Sequence, residues 1–197
     1  MTVPDEVRVP WSAGRWTHPP LSTREDGDAL LVEAAEGSDA WRHTAYGFVH
    51  DSEHALLAPL SAGAAVEVDF ALAYDGMFDQ AGVVVRASDV HWLKAGVEVS
   101  AGLPQVGAVV THGKSDWSVA PVLGWSGRVV TVRVSRFGDA LVVRAHAEGE
   151  PWRLVRVAPF DAAEPLEAGP YCCAPTRAGL VVRFLGWRTT AADAALH

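Results

Sequence analysis

Residues 129–146 read VVTVRVSRFGDALVVRAH, and this stretch decides the fold. Before the Phe137-Gly138-Asp139 turn, Val130, Val132 and Val134 alternate with polar residues, and a second alternating run follows the turn. A period of two is typical of strands with one buried face, and a short turn containing glycine joins such strands. The stretch therefore predicts a β-hairpin.

The same period continues outward along most of the chain. In residues 64–73, Val66, Val68 and Phe70 face one way, whereas Glu67 and Asp69 face the other. Further strands are predicted near 29–35, 54–60, 81–87, 91–100, 105–112, 117–122, 152–158, 168–174 and 180–188. Many short strands separated by glycine or proline favour an all-β, two-sheet antiparallel sandwich of the jelly-roll type.

Length and composition predict one globular domain spanning residues 1–197. About half of the 197 residues are hydrophobic (49%), which supplies one sizeable core and excludes a disordered chain. In this domain we expect residues 1–28 to wrap the edge of the sandwich and residues 189–197 to fray.

The charge and the chain ends restrict partners and location. Sixteen basic against 24 acidic residues give a formal charge of −8, which repels nucleic acid. The sequence has no basic and apolar N-terminal signal and no apolar run long enough to span a bilayer, so we expect a cytoplasmic protein without a membrane partner. A homodimer is left open.

The cysteines and histidines do not indicate a metal site or a cofactor. Cys172 and Cys173 are adjacent, so they are expected to be free thiols in a buried strand. The histidines show no metal-ligand spacing. Gly-x-Ser-x-Gly, phosphate-loop and dinucleotide motifs are also missing, so no catalytic motif is legible.

The strongest candidate site lies in the predicted strand 91–100. Strand alternation places Leu93 and Val97 on the core face and Trp92, Lys94 and Glu98 on the opposite face. An aromatic ring, a cation and a carboxylate in line form a platform for a polar ligand. The alternative is a solvated Lys–Glu pair. Such a pair contributes only about 0–1 kcal/mol to the free energy of folding, so stability alone does not explain these residues.

Two further segments carry polar and aromatic residues suited to a ligand. Gln80 and Arg86 share a strand face, although the neighbouring Asp79 can equally cap a turn. Ser115-Asp116-Trp117-Ser118 offers a ring for stacking on a sugar, although a core tryptophan at a strand start is an equal alternative. Above the sheet we expect a loop that carries Trp41, His43 and Tyr46. The predicted ligand-binding residues are Tyr46, Gln80, Arg86, Trp92, Lys94, Glu98, Asp116 and Trp117.

With these residues in view, the chain resembles an uncharacterised family related to the yeast regulation-of-enolase protein. The resemblance runs from about Trp41 to Trp187 and is carried by Trp41-Arg42 with Tyr46-Gly47-Phe48; Asp79-Gln80-Ala81-Gly82 with Arg86; Trp92, Lys94, Gly96 and Glu98; Ser115-Asp116-Trp117-Ser118; Arg136-Phe137-Gly138-Asp139; Trp152; and Gly169-Pro170 with Cys172-Cys173. It implies a concanavalin A-like lectin/glucanase sandwich, but no established reaction. Phe78 and Ala174 stand where the family pattern has Tyr and Ser.

Three functions remain open from the sequence. The first is non-catalytic binding of a small polar ligand, a carbohydrate by preference, on the concave sheet. The second is an enzyme acting on a sugar or small metabolite, with Glu98 as general acid or base and Lys94 as its electrostatic partner. The third is a regulatory domain that binds another protein through this face or a sheet edge.

Overall fold

The computed structural model describes residues 6–196, which form β-strands and two short 3₁₀ helices, Trp11–Ala13 and Leu123–Trp125, and no α-helix. The strands are β1 (Glu6–Arg8), β2 (Arg15–Trp16), β3 (Ser22–Asp26), β4 (Ala29–Glu33), β5 (Ala40–Arg42), β6 (Val49–Asp51), β7 (His54–Leu60), β8 (Ala64–Ala71), β9 (Gln80–Ser88), β10 (His91–Ser100), β11 (Leu103–His112), β12 (Lys114–Pro121), β13 (Val129–Phe137), β14 (Ala140–Ala147), β15 (Arg153–Pro159), β16 (Leu166–Cys173) and β17 (Val181–Ala191). Within this range, no helix is long and apolar enough to cross a membrane.

The strands build two antiparallel sheets that pack face to face, as predicted. The first sheet has the order β15-β14-β13-β8-β17-β4-β3, with β1 added beside β17. The second has the order β12-β11-β10-β9-β16-β7-β2. The 129–146 hairpin is confirmed, because β13 and β14 pair in register up to Phe137 and Ala140. A separate pair, β5 with β6, forms a small hairpin of its own.

The core lies between the sheets and is built from the faces that the alternation predicts. Val68 and Phe70 from the first sheet join Leu93 and Val97 from the second in one buried cluster. Burying one such side chain stabilises the fold by about 1.5–3 kcal/mol. Trp92 is absent from this cluster, so the predicted orientation of β10 is correct and its polar residues lie on the outer face of the second sheet.

Both ends of the described chain are tied to the sandwich. The N-terminal segment places β1 beside β17, β2 beside β7 and β3 beside β4, so it contributes to both sheets. At the other end β17 continues to Ala191, and Asp193 forms ion pairs with Arg133 and Arg144. Residues 189–191 of the segment expected to fray are thus paired with β8. Residues 1–5 and His197 lie outside the described residues.

Three glycines lie side by side on the outer face of the second sheet. Gly96 in β10 is paired with Gly82 in β9 and with Gly107 in β11. A Cβ atom built on any of the three would stand 2.0–2.1 Å from a backbone carbonyl oxygen, which no real Cβ atom does. These positions, called the glycine row below, can therefore carry no side chain, and the sheet surface there is bare backbone.

Candidate functional site

A cavity of about 340 Å³ opens on the outer face of the second sheet, next to the glycine row. We call it the outer-face pocket. Its lining residues are Asp39, Trp41, Tyr46, Phe48, His50, Phe78, Gln80, Lys94, Glu98, Ser100, Val109, Trp117 and Pro175. The volume lies within the range of about 300–1,000 Å³ that is usual for small-molecule sites.

The floor of the pocket contains a buried lysine that is held by two partners. The Lys94 Nζ atom donates to Asp39 Oδ1 and to Gln80 Oε1, both at 2.8 Å, and only 4% of this side chain is exposed. Burial is the largest single influence and lowers the pKa of Lys94, but the surrounding acidic groups, Asp39 first among them, together outweigh burial and hold this pKa above its ordinary value. Burial in turn raises the pKa of Asp39, but Lys94 and the Ala40 backbone N–H more than offset it and hold this pKa low. Lys94 and Asp39 are therefore both ionised, and their charges cancel.

Glu98 lies four residues along β10 from Lys94 and has no such partner. Its Oε1 atom is buried and accepts no hydrogen bond from a described residue. Burial raises the pKa of Glu98 to about 7; the positive charge of Lys94 opposes this shift, and the negative charge of Asp39 adds to it. A buried acceptor without a donor is costly in a folded protein, so this oxygen is the atom in the floor that a ligand would satisfy.

The wall of the pocket is aromatic and comes from the β5–β6 hairpin. The Tyr46 ring stacks on Phe48 at a centroid distance of 5.2 Å, and Trp41 meets Tyr46 edge to face at 5.9 Å. Tyr46 is 66% exposed, so its ring is available to a ligand. Trp117 of β12 also lines the pocket and is 41% exposed. Rings above and a polar floor below are the combination that holds a polar ligand with apolar faces.

Unfavourable backbone conformations border this pocket. Phe78, which lines it, has φ = 62°, and His43 and Ala45 in the hairpin loop have φ = 62° and 63°. Non-glycine residues rarely adopt this region, and a bulky one such as Phe78 is an outlier. The turn before β9 is held by Asp79, whose Oδ2 accepts from the Gly76 N–H at 3.2 Å, so the capping role weighed for Asp79 is confirmed. Residues held in such conformations cluster at binding and active sites.

Five of the eight predicted binding residues meet at this pocket. Gln80, Lys94 and Glu98 form the floor, and Tyr46 and Trp117 contribute aromatic rings to the lining. The loop expected above the sheet is the β5–β6 hairpin. Its Trp41 lines the pocket, whereas His43 does not.

The structure places the other three predicted residues elsewhere. Trp92 is buried beneath the hairpin, against Ala40, Val109 and Trp41, because its large ring fills the gap between the hairpin and the sheet.

Arg86 shares the face of Gln80 but lies six residues along β9, at a different cavity. There it binds Glu53 at 3.1 Å and Asp89 at 2.6 Å. Asp116 points away from Trp117, because neighbours on a strand face opposite sides, and it pairs with Arg156 of β15 at 2.9 Å.

Asp39 is the floor residue that the sequence did not reveal. It lies in a loop before β5, where no periodicity predicts its direction, and only the fold brings it to Lys94. Phe48 and His50 were missed for a related reason, since the short hairpin that carries them shows no alternating pattern.

One group of described residues has the composition of a metal site. Single ligand atoms of His18, Asp51 and Glu53 lie within 4.8 Å of one another. The Arg86 guanidinium lies 3.1 Å from Glu53 and 3.7 Å from Asp51, so the positive charge that these carboxylates require is already supplied. Asp51 and Glu53 therefore form an ion-pair cluster with Arg86, at the separate cavity that Arg86 lines.

The fold and the pocket together define a two-sheet β-sandwich of the lectin/glucanase type, with a polar site on the outer face of one sheet. Within this class, the chain belongs to the family described as "Protein of unknown function (DUF1349)", whose model matches residues 16–192. It is 39% identical over 180 residues to "Regulation of enolase protein 1" of Saccharomyces cerevisiae, covering 91% of this chain and 90% of the yeast protein. The predicted family relationship is confirmed.

Solved structures show the same architecture. A functionally unknown protein from Saccharomyces cerevisiae superposes with a TM-score of 0.87 at 37% identity, over 94% of this chain and all of that chain. Xylan β-1,4-xylosidase from Bacillus halodurans C-125 gives 0.67 at 14% identity over 96% of this chain and 40% of that chain. Lectin I-B4 from Griffonia simplicifolia gives 0.54 at 14% identity over 92% and 94%. The last two likenesses concern the fold alone.

Proposed function

We propose that this protein binds a small polar ligand of the carbohydrate class in the outer-face pocket, without catalysing a reaction. The observation that carries the proposal is the composition of the pocket, which joins exposed aromatic rings to a buried polar floor within about 340 Å³. A sugar ring offers apolar C–H faces to Tyr46 and Trp117 and a hydroxyl group to Glu98. The lectin and xylosidase neighbours are compatible with this proposal through their fold.

A binding screen with matched tryptophan variants tests the proposal. Glucose, galactose, mannose, xylose and myo-inositol are titrated by calorimetry into the wild type, Trp117→Ala and Trp152→Ala. Trp152 is a suitable control, since its ring is 42% exposed against 41% for Trp117 and it lies at another cavity. We expect binding of at least one probe and a loss of about tenfold for Trp117→Ala, which corresponds to about 1.4 kcal/mol of ring contact. If no probe binds, or if both variants lose affinity equally, the proposal is wrong.

A second candidate function is acid–base catalysis on such a ligand, and one observation favours it. Lys94 holds the pKa of Asp39 low, whereas burial raises the pKa of Glu98 to about 7, so the two carboxyl groups of the floor favour different protonation states. Pairs of this kind mark acid and base assignments in enzymes. Lys94 would then act as the electrostatic partner of both groups.

Turnover and affinity of Glu98→Gln separate the two candidates. In a binder, the amide keeps the shape of the carboxylate and affinity falls modestly. In an enzyme, affinity persists while turnover falls by about 10²–10⁴-fold. Intact affinity with abolished turnover would replace the binding proposal by the catalytic one.

The third function considered from the sequence is a regulatory protein–protein interface. The name of the yeast relative favours a regulatory role. A protein interface at this face would need a flat, closed and apolar surface, whereas the floor here is recessed and charged. Ligand binding is therefore the preferred proposal for this site.

A further inference from the structure

We propose that the outer-face pocket selects an uncharged ligand, one hydroxyl group of which donates to Glu98 Oε1, and that it rejects the corresponding carboxylates and phosphates. This inference rests on the binding function proposed above and specifies the class of its ligand. It follows from the charges of the floor, the unsatisfied oxygen and the shape beside the glycine row.

The first argument is the charge available to an anion. Among the described residues that line the pocket, Lys94 is the only lysine or arginine. Its ammonium group is bonded to Asp39 at 2.8 Å and to Gln80 at 2.8 Å, so its charge is already neutralised within the floor. Sites that bind carboxylates or phosphates present an arginine, lysine or backbone N–H groups that are free to bond the anion. This floor presents a paired lysine instead.

The second argument is the hydrogen-bonding role of the unsatisfied group. Above its pKa of about 7, Glu98 is mainly ionised and Oε1 can only accept, so the ligand atom that satisfies it must carry a hydrogen. A sugar hydroxyl does, whereas an ionised carboxylate or a phosphate dianion does not. An anion placed there would face Glu98 with like charge in a poorly hydrated site, where such repulsion is strong.

The third argument is space. Gly96, Gly107, Lys94 and Glu98 border a recess of about 10 Å³, which shares Lys94, Glu98 and Trp117 with the pocket. A recess of that size holds about one water-sized group, such as a single hydroxyl. A carboxylate or phosphate group is too large to enter it. The glycine row keeps the recess open, because side chains cannot be accommodated there.

Matched pairs of probes that differ in one group test the inference. Glucose is compared with glucuronate and glucose 6-phosphate, and galactose with galacturonate, at about pH 8, where Glu98 is mainly ionised. We expect each neutral sugar that binds to do so about tenfold or more tightly than its anionic counterpart. Tighter binding of the anions would overturn the inference and leave the binding function intact. Absence of binding by every probe, neutral and anionic, would overturn the binding function itself.

Two variants with the same change in net charge identify the residue responsible. Glu98→Gln removes the carboxylate from the floor, whereas Glu25→Gln removes an exposed carboxylate from β3 in the other sheet. We expect the preference for neutral sugars to shrink toward parity in Glu98→Gln and to stay unchanged in Glu25→Gln. An unchanged preference in a folded Glu98→Gln protein would refute the role of Glu98, and the wild-type preference tests the inference even if that variant does not fold.

Discussion

At the residue scale, Glu98 and the glycine row are the features whose chemistry departs most from an ordinary sheet surface. Glu98 has a buried oxygen that accepts no hydrogen bond from a described residue, and the nearby Lys94 is already paired with Asp39. The glycine row leaves bare backbone beside it. The unpartnered oxygen of Glu98 is unfavourable for stability, which is the expected cost of a site shaped for a ligand.

The raised pKa of Glu98 makes stability depend on pH in a defined direction. Between its ordinary value of 4.5 and about 7, the folded protein keeps a proton that the unfolded chain releases. The free energy of unfolding therefore decreases as the pH rises through this window. We expect Glu98→Gln to raise the melting temperature at about pH 8 and to change it much less at about pH 4, since the amide is always uncharged. Glu25→Gln is the control, and equal shifts at both pH values would contradict the assignment.

Gly96→Ala tests the glycine row. The added Cβ atom would lie 2.1 Å from the Ala81 carbonyl oxygen, so the two strands must separate. We expect a loss of about 2 kcal/mol or more in the free energy of unfolding, measured by chemical denaturation. Gly124→Ala is the matched control, because nothing lies within 4 Å of its Cβ position and its φ is not positive. Similar stability of the two variants would show that the row tolerates side chains.

At the element scale, the β5–β6 hairpin is the part of the pocket that is not a strand of either large sheet. It is tied to the second sheet by Ser115 of β12, whose Oγ accepts from the Arg42 N–H at 2.9 Å and bonds Thr111 at 2.9 Å. Trp92 supports it from below. The position of the aromatic wall therefore depends on a few contacts rather than on a ladder of hydrogen bonds.

Ser115→Ala should loosen this hairpin without unfolding the sandwich. The variant leaves the Arg42 N–H without its acceptor, a loss of about 1–3 kcal/mol that falls mainly on the hairpin. We expect faster hydrogen exchange in residues 40–51 and weaker binding of any sugar that the wild type binds. Ser118→Ala, which removes only an exposed bond from Arg156, should show neither effect. Unchanged exchange in Ser115→Ala would mean that other contacts position the hairpin.

The strands and the site differ in how far the sequence predicts them. Long strands such as β10 and β13 carry alternating residues over six or more positions, so the existence of these strands and the direction of their side chains could be predicted. β3 reads STRED and is exposed throughout, and β5 and β6 have three residues each, so no pattern marks them. Strand facing located Lys94 and Glu98, but Asp39 reaches them through tertiary packing, which a single sequence does not encode locally.

At the scale of the whole molecule, the adjacent cysteines connect the two hydrophobic layers. Cys172 lies in the core between the sheets, whereas Cys173 packs on the outer side with Leu57, Val84 and Tyr171. Both are free and fully buried, as expected from the sequence. Burial raises the pKa of each thiol, so the reactive thiolate form is disfavoured.

Thiol labelling therefore reports global unfolding. We expect Ellman's reagent to leave both cysteines unmodified in the native protein and to label both in guanidinium chloride, at a rate that follows the unfolding equilibrium. Rapid labelling under native conditions would mean that β16 opens locally and would contradict the packing described here.

The glycine row also determines which parts of this pocket can be altered. A side chain at any of its three positions would collide with a neighbouring strand, so we expect replacements there to destabilise the sheet rather than to reshape the base of the site. The hairpin loop, Phe78 and Trp117 lie outside the two-sheet core and tolerate replacement more readily. Engineering of specificity should therefore begin at this rim.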